Sequence, residues 1–289
     1  ALPISRPPFF IVRLAARLRD LRACPTALLG LSTAQNGARV DQRREPILNV
    51  PAVVVLVLVA IGVIHALRVF VFTEDFDRLV IFTFGFVPAR YDLNGLNGIL
   101  PGGFGADVWT FVTYGFLHAD LMHLGFNALW LLAFASPVAR RFGAVRFIAL
   151  FFVTTAAGAL AHLIMHSGEL SPMIGASASI AGMMGAATRF AFQRGGSLDM
   201  WRTHEDDPDR IPAAPLAVAL RNPRVLAFVG VWFGLNLLFG IGSFAIVGVD
   251  QSIAWEAHVG GFFAGLLLFS LFDPVAPQTL QPEEQPTLH

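Results

Sequence analysis

The chain has 289 residues, 55% of them hydrophobic and only 14% charged, with a formal net charge of zero and a mean hydropathy of +0.63. Soluble domains carry about a quarter charged residues, so the balance argues against an ordinary soluble enzyme, and the zero net charge removes any global attraction to nucleic acid. The single cysteine, Cys24, excludes an internal disulfide framework and any cysteine-based metal cluster.

Residues 1–48 form a polar tail with eight arginines, Arg6, Arg13, Arg17, Arg19, Arg22, Arg39, Arg43 and Arg44. The stretch Arg13-Leu14-Ala15-Ala16-Arg17-Leu18-Arg19 has the pattern of a short basic amphipathic helix. Two readings compete for it: a cytoplasmic tail held near anionic lipid, or an organellar targeting segment. Asp20, Asp41 and Glu45 favour the tail.

From Ala52 the apolar residues come in blocks long enough to cross a bilayer. A first span runs to about Phe72, with Pro51 at its start and Arg68 near its far end, where an arginine can snorkel to the interface. A long connection to Val108 contains the apolar run Leu79–Val87, too short to span and therefore interfacial or re-entrant. A second span follows His118 to about Val138, a third covers Phe147 to Met165, and a fourth Gly175 to Ala187. A polar segment, Arg189 to Arg224, precedes a fifth span from Val225 to about Val247. The sixth runs from Ala254 to Phe272, and residues 274–289 form a Pro/Gln/Glu-rich tail expected to be disordered. The expectation is an all-α membrane protein, a six-helix core domain over residues 49–273 with a membrane-embedded outer loop between its first two helices.

With the N-terminus inside, the inner segments hold the tail arginines with Arg140, Arg141, Arg146, Arg189, Arg194, Arg202, Arg210, Arg221 and Arg224. The outer segments hold only Arg78 and Arg90 against seven acidic residues. This asymmetry places both termini in the cytoplasm, and all twenty basic residues being arginine suggests a bacterial inner membrane, although a mitochondrial one would suit the same fold.

That topology brings Ser177, His258 and Asn127 to nearly the same depth on the outer side. Polar residues at membrane depth are costly and face a bundle interior or a water-filled cavity, so three at one level point to one cavity. A serine needs a base to become a nucleophile, and neutral histidine is the usual one. His258, Gly261 and Gly265 share a helix face, and those glycines allow close packing on the small-residue face of the fourth span, Gly175, Ala178 and Gly182. His123 and Asn127, at i and i+4, share another face and are placed to donate to an oxyanion, with the Ser177 backbone N–H at a helix start.

These residues carry a resemblance. Trp109, the stretch His118-Ala119-Asp120-Leu121-Met122-His123-Leu124-Gly125-Phe126-Asn127, the Gly175-Ala176-Ser177 of the fourth span and Ala257-His258-Val259-Gly260-Gly261 through Gly265 of the sixth are together similar to the rhomboid intramembrane serine proteases, over roughly Ala52 to Phe272. The resemblance implies Ser177 as nucleophile, His258 as general base, His123 and Asn127 at the oxyanion site, transmembrane proteins in the lipid bilayer as substrates, and helix five as an entry gate. It implies no cofactor and no metal, and there is no sign of nucleic-acid binding; the oligomeric state is not legible. Three positions differ from common family patterns: Thr110 stands where many members have Arg, Ala178 where Gly follows the serine, and Ala181 where some bacterial members have a Tyr that stacks on the histidine.

Ser179 lies about 200° around the helix from Ser177 and is expected to face packing. His118 is expected to be structural. His162 and His166 have metal-ligand spacing, but no acidic or third histidine partner is evident for them. His204-Glu205 lacks the second histidine of a zinc-protease motif. No acidic residue is evident beside Ser177 and His258, so a dyad is expected. The competing class is a catalytically silent rhomboid-like protein that binds or escorts membrane clients; retention of both Ser177 and His258 speaks against it. No internal repeat suggests a transporter.

Overall fold

The computed structural model describes residues 50–92, 99–199, 208–241 and 254–275. The tail of residues 1–48, His204-Glu205, the end of the fifth span beyond 241 and all but the first two residues of the C-terminal tail lie outside them. Among the described residues the fold is all-α, with one isolated antiparallel bridge between Phe86 and Met173.

Helix α1, Ala52–Phe70, starts at Pro51 and buries Val54, Val57, Ile61, His65 and Arg68, a stripe at helical spacing. Its other face leaves Leu56, Val59, Val63 and Phe70 exposed, as lipid contact demands. Arg68 does not snorkel. It turns inward and is buried, donating to Asp77 Oδ1 at 2.6 Å and to the His118 carbonyl at 2.7 Å. A buried guanidinium needs several acceptors, and Asp77 and His118 supply them.

The connection after α1 holds α2, Glu74–Phe84, whose N-cap Thr73 accepts from Phe76 N and whose first turn carries Glu74, Asp75 and Asp77, favourable to the helix dipole. None of its residues is fully buried, whereas Phe86 and Val87, which close the same apolar run, are enclosed. A 3₁₀ turn, Pro88–Tyr91, leads towards α3, Gly103–Thr113. The difference at Thr110 is absorbed here. Thr110 is buried and bonds Tyr91 Oη at 2.9 Å, while Arg90, coming from the preceding turn, donates to the Phe82 and Pro101 carbonyls at 2.8 and 3.0 Å. Trp109 Nε1 adds a bond to the Thr83 carbonyl at 2.9 Å.

Helix α4, Leu121–Trp130, starts at the N-cap Asp120, whose Oδ1 accepts from His123 N at 2.7 Å. A π-helical segment, Leu131–Ala135, joins it to α5, Ser136–Met165, which breaks at Gly143 (φ 75°, ψ 166°). The continuous apolar stretch Leu121–Met165 is 45 residues long, about twice what a bilayer needs, and the break divides it into two spans. Their directions follow from their partners on the last helix, α9, Trp255–Phe272: His162 meets Glu256 at its start and Arg141 meets Asp273 just past its end. Residues 144–165 therefore run antiparallel to α9.

Between them lies α6, Ser177–Ala187, in which every residue from Ala178 to Ala187 is buried. Eleven helical residues cover only ~16 Å, so α6 is an enclosed helix, begun partway into the bundle. The expected start at Gly175 moves to Ser177: Gly175 has φ 128°, a conformation only glycine adopts freely, and its N–H donates to the Tyr114 carbonyl at 3.0 Å. The glycine packing expected from the sequence is present. A methyl on Gly261 would strike the Ala178 carbonyl, and one on Gly265 that of Gly182. Short helix α7, Leu216–Ala219, precedes α8, Pro223–Ile241, which is held by Trp232 stacked on Phe262 at 4.7 Å and by Phe228 against Phe134 at 5.5 Å.

Candidate active site

Ser177 is the first residue of α6, two residues past the left-handed Gly175 that turns the chain into the bundle. The close contact of α6 with the glycine face of α9 places His258 opposite it, with Nε2 2.7 Å from Ser177 Oγ. The two residues expected to pair are thus brought together.

The other ring nitrogen has a partner that sequence reasoning missed. His258 Nδ1 lies 2.6 Å from Asn236 Oδ1, on α8. Asn236 Nδ2 donates to the Trp232 carbonyl, one turn back, at 2.9 Å. A carbonyl only accepts, so it fixes the amide with its NH₂ towards Trp232 and its oxygen towards His258. That oxygen in turn requires the proton of the neutral imidazole to sit on Nδ1, leaving the Nε2 lone pair to accept from the Ser177 hydroxyl. The chain Trp232–Asn236–His258–Ser177 sets one tautomer and one ring orientation. A signal for it existed: Asn236 is an amide in the middle of an apolar span, which marks a site with a partner.

His123 stands on the other side of Ser177. Its Nδ1 accepts from Ala119 N at 3.4 Å, so its proton lies on Nε2. The point where a Cβ on Gly175 would stand is 2.7 Å from His123 Nε2 and 3.7 Å from Ser177 Oγ. The absent side chain of Gly175 therefore leaves a small space flanked by a donor and the hydroxyl. Asn127 is buried and its Nδ2 donates to the His123 carbonyl at 2.9 Å, which holds it to its own helix and leaves one amide hydrogen for another acceptor. The Ser177 N–H is in the first turn of α6, where intrahelical partners are lacking.

The remaining candidates separate cleanly. Ser179 is buried and its hydroxyl donates to the Ala176 carbonyl at 2.6 Å. The methyl of Ala178 is directed at Gly158 of α5, and Ala181 packs in the apolar core. His118 is buried edge-on to His123, ring centroids 5.1 Å apart; burial, with His123 and His65 nearby, depresses its pKa to about 3, so it stays neutral. Its carbonyl accepts from Arg68. The chemistry this arrangement supports is nucleophilic attack by a hydroxyl with an oriented neutral imidazole as base.

A family model described as the Rhomboid domain matches residues 105–273, a stretch that contains His123, Asn127, Ser177, Asn236 and His258. No curated protein matches the chain.

Proposed function

The chain belongs to the rhomboid family, and from that membership we propose that it is an intramembrane serine endopeptidase. The observation that carries the reading is the 2.7 Å contact between Ser177 Oγ and His258 Nε2. Ser177 Oγ attacks a peptide carbonyl of a transmembrane substrate as its proton passes to His258 Nε2. The tetrahedral oxyanion sits in the space beside Gly175, where His123 Nε2–H, the Ser177 N–H and the remaining Asn127 N–H are the candidate donors; each such donor is worth ~10²–10³ in rate. The C–N bond then breaks as His258 returns the proton to the leaving amine, and an acyl-enzyme remains on Ser177. Water, deprotonated by His258, attacks the ester carbon and releases the acid, and the proton goes back to Ser177 Oγ. Asn236 holds the imidazole in its working tautomer throughout.

The family acts on transmembrane proteins, and the depth of Ser177 suits cleavage near the membrane surface. The arginine distribution favours a multi-pass protein with both termini in the cytoplasm and Ser177 towards the outer side, in a bacterial inner membrane. In this reading residues 1–48 are a tail at the inner surface, 49–273 the protease domain and 274–289 a second tail.

The test is labelling of the detergent-purified protein with a fluorophosphonate serine probe. Wild type and Ser179→Ala are expected to label, and Ser177→Ala and His258→Ala to lose labelling. No labelling of folded wild type would favour a silent client-binding protein, and loss only in Ser179→Ala would move the nucleophile.

A further inference from the structure

His162 lies in the last turn of α5 and His166 is the residue just past its end, its N–H still donating to the His162 carbonyl at 2.9 Å, and their rings stack with centroids 4.4 Å apart. The missing acidic partner comes from far along the chain. Glu256, the second residue of α9, places Oε1 2.6 Å from His162 Nδ1 and 3.0 Å from His166 Nε2. We infer that His162, His166 and Glu256 form a binding site for a divalent transition metal of the zinc class, at the Ser177 end of the bundle.

Three observations carry this. One ligand atom from each residue falls within 4.8 Å of the others. Around zinc, with bonds of about 2.0–2.2 Å and tetrahedral angles, such atoms stand roughly 3.3–3.5 Å apart, so the site reaches that geometry when the Glu256 carboxylate withdraws from His162 by roughly 0.7–0.9 Å and from His166 by roughly half as much. Second, the outer partner of a ligating histidine is already present. His166 Nδ1 lies 2.9 Å from Glu169 Oε1, the carboxylate–histidine pairing that turns the opposite nitrogen towards a metal. Third, the Glu256 carboxylate is only 5% exposed, and a charge so enclosed requires compensation, whereas His166 is partly exposed and opens the cluster to the surface. Two histidines and one carboxylate leave the fourth position of zinc open to water. Bound metal would tie the start of α9, two residues before His258, to α5.

The site stands whether or not Ser177 is a nucleophile, and its test reads metal binding alone. The full chain, purified in detergent and stripped with a chelator, is titrated with cobalt(II), followed by its visible d–d absorption, and with zinc by calorimetry. The expected result is one tightly bound equivalent with tetrahedral bands, displaced by zinc. Glu256→Gln and His162→Ala are expected to abolish it, Glu169→Gln to weaken it about 10–100-fold, and His258→Ala to leave the stoichiometry unchanged. Should Glu256→Gln or His162→Ala fail to fold, the partly exposed His166→Ala, expected to abolish binding, decides together with Glu169→Gln. No saturable binding by folded wild type, or binding untouched by the folded variants among these, would overturn the assignment and leave a charge-paired histidine cluster.

Discussion

Asn236 illustrates how one amide determines what a histidine can do. Its oxygen faces His258 because the Trp232 carbonyl holds its nitrogen, and the imidazole proton follows. Positioned acid–base groups contribute ~10²–10⁴ in rate, and loosening the orientation of one forfeits part of that. Asn236→Leu, similar in size but without an acceptor, is expected to lower kcat on the order of 10–100-fold with KM little changed. Asn236→Asp, which keeps an acceptor oxygen, is expected to retain much of it. Steady-state cleavage of a transmembrane substrate in micelles measures both, and an unchanged kcat in Asn236→Leu would remove Asn236 from the machinery. Ser177 and His258 were legible because a nucleophile and a base at one membrane depth make a recognisable pair. Asn236 was not, because an amide in an apolar span is equally consistent with helix packing and carries no charge that would mark it as a third member.

At the level of elements, the contact that matters is α6 on α9. Membrane helices gain little from hydrophobic segregation and associate through close packing of small residues. Gly261 and Gly265 let the α9 backbone reach the carbonyls of Ala178 and Gly182, and that separation is what allows a 2.7 Å contact between His258 and Ser177. Gly265→Ala must push the helices apart, at a cost of about 1–3 kcal/mol, with labelling of Ser177 falling as well. Gly62→Ala on α1, where nothing lies within 4 Å of the added methyl, is the control, with a change under about 1 kcal/mol. Denaturation in detergent reads both, and equal losses would mean that the α6–α9 spacing is not set by Gly265. The spacing of these glycines was readable from the 3.6-residue period. The start of α6 at Ser177 was not, since Gly175 belongs to a turn whose conformation depends on its bond to Tyr114. Nor was the fate of Thr110, because the arginine that collects carbonyls near it, Arg90, sits in a different turn.

For the whole molecule, the distribution of arginines is a signature of orientation, and in that count every arginine is equivalent. The structure makes them unequal. Arg141 is fully enclosed, forked onto Asp273 with both bonds at 2.9 Å, donating to the Ile211 carbonyl at 2.7 Å and lying 4.7 Å over the Phe190 ring. It joins α5, the segment before α7 and the end of α9 at the end of the bundle opposite Ser177, as Arg68 and Arg90 join elements at the other. Removing one member of such a pair leaves the other charge buried and costs about 3–5 kcal/mol, whereas replacing both with apolar residues is often neutral. Arg141→Met alone is therefore expected to destabilise the protein by that amount, and Arg141→Met with Asp273→Leu to recover most of it, less whatever the Ile211 carbonyl loses. Thermal unfolding of both variants in the same detergent distinguishes the cases. Equal destabilisation by the single and double variants would mean that the contacts of Arg141 to carbonyl and ring, rather than its ion pair, hold that end together.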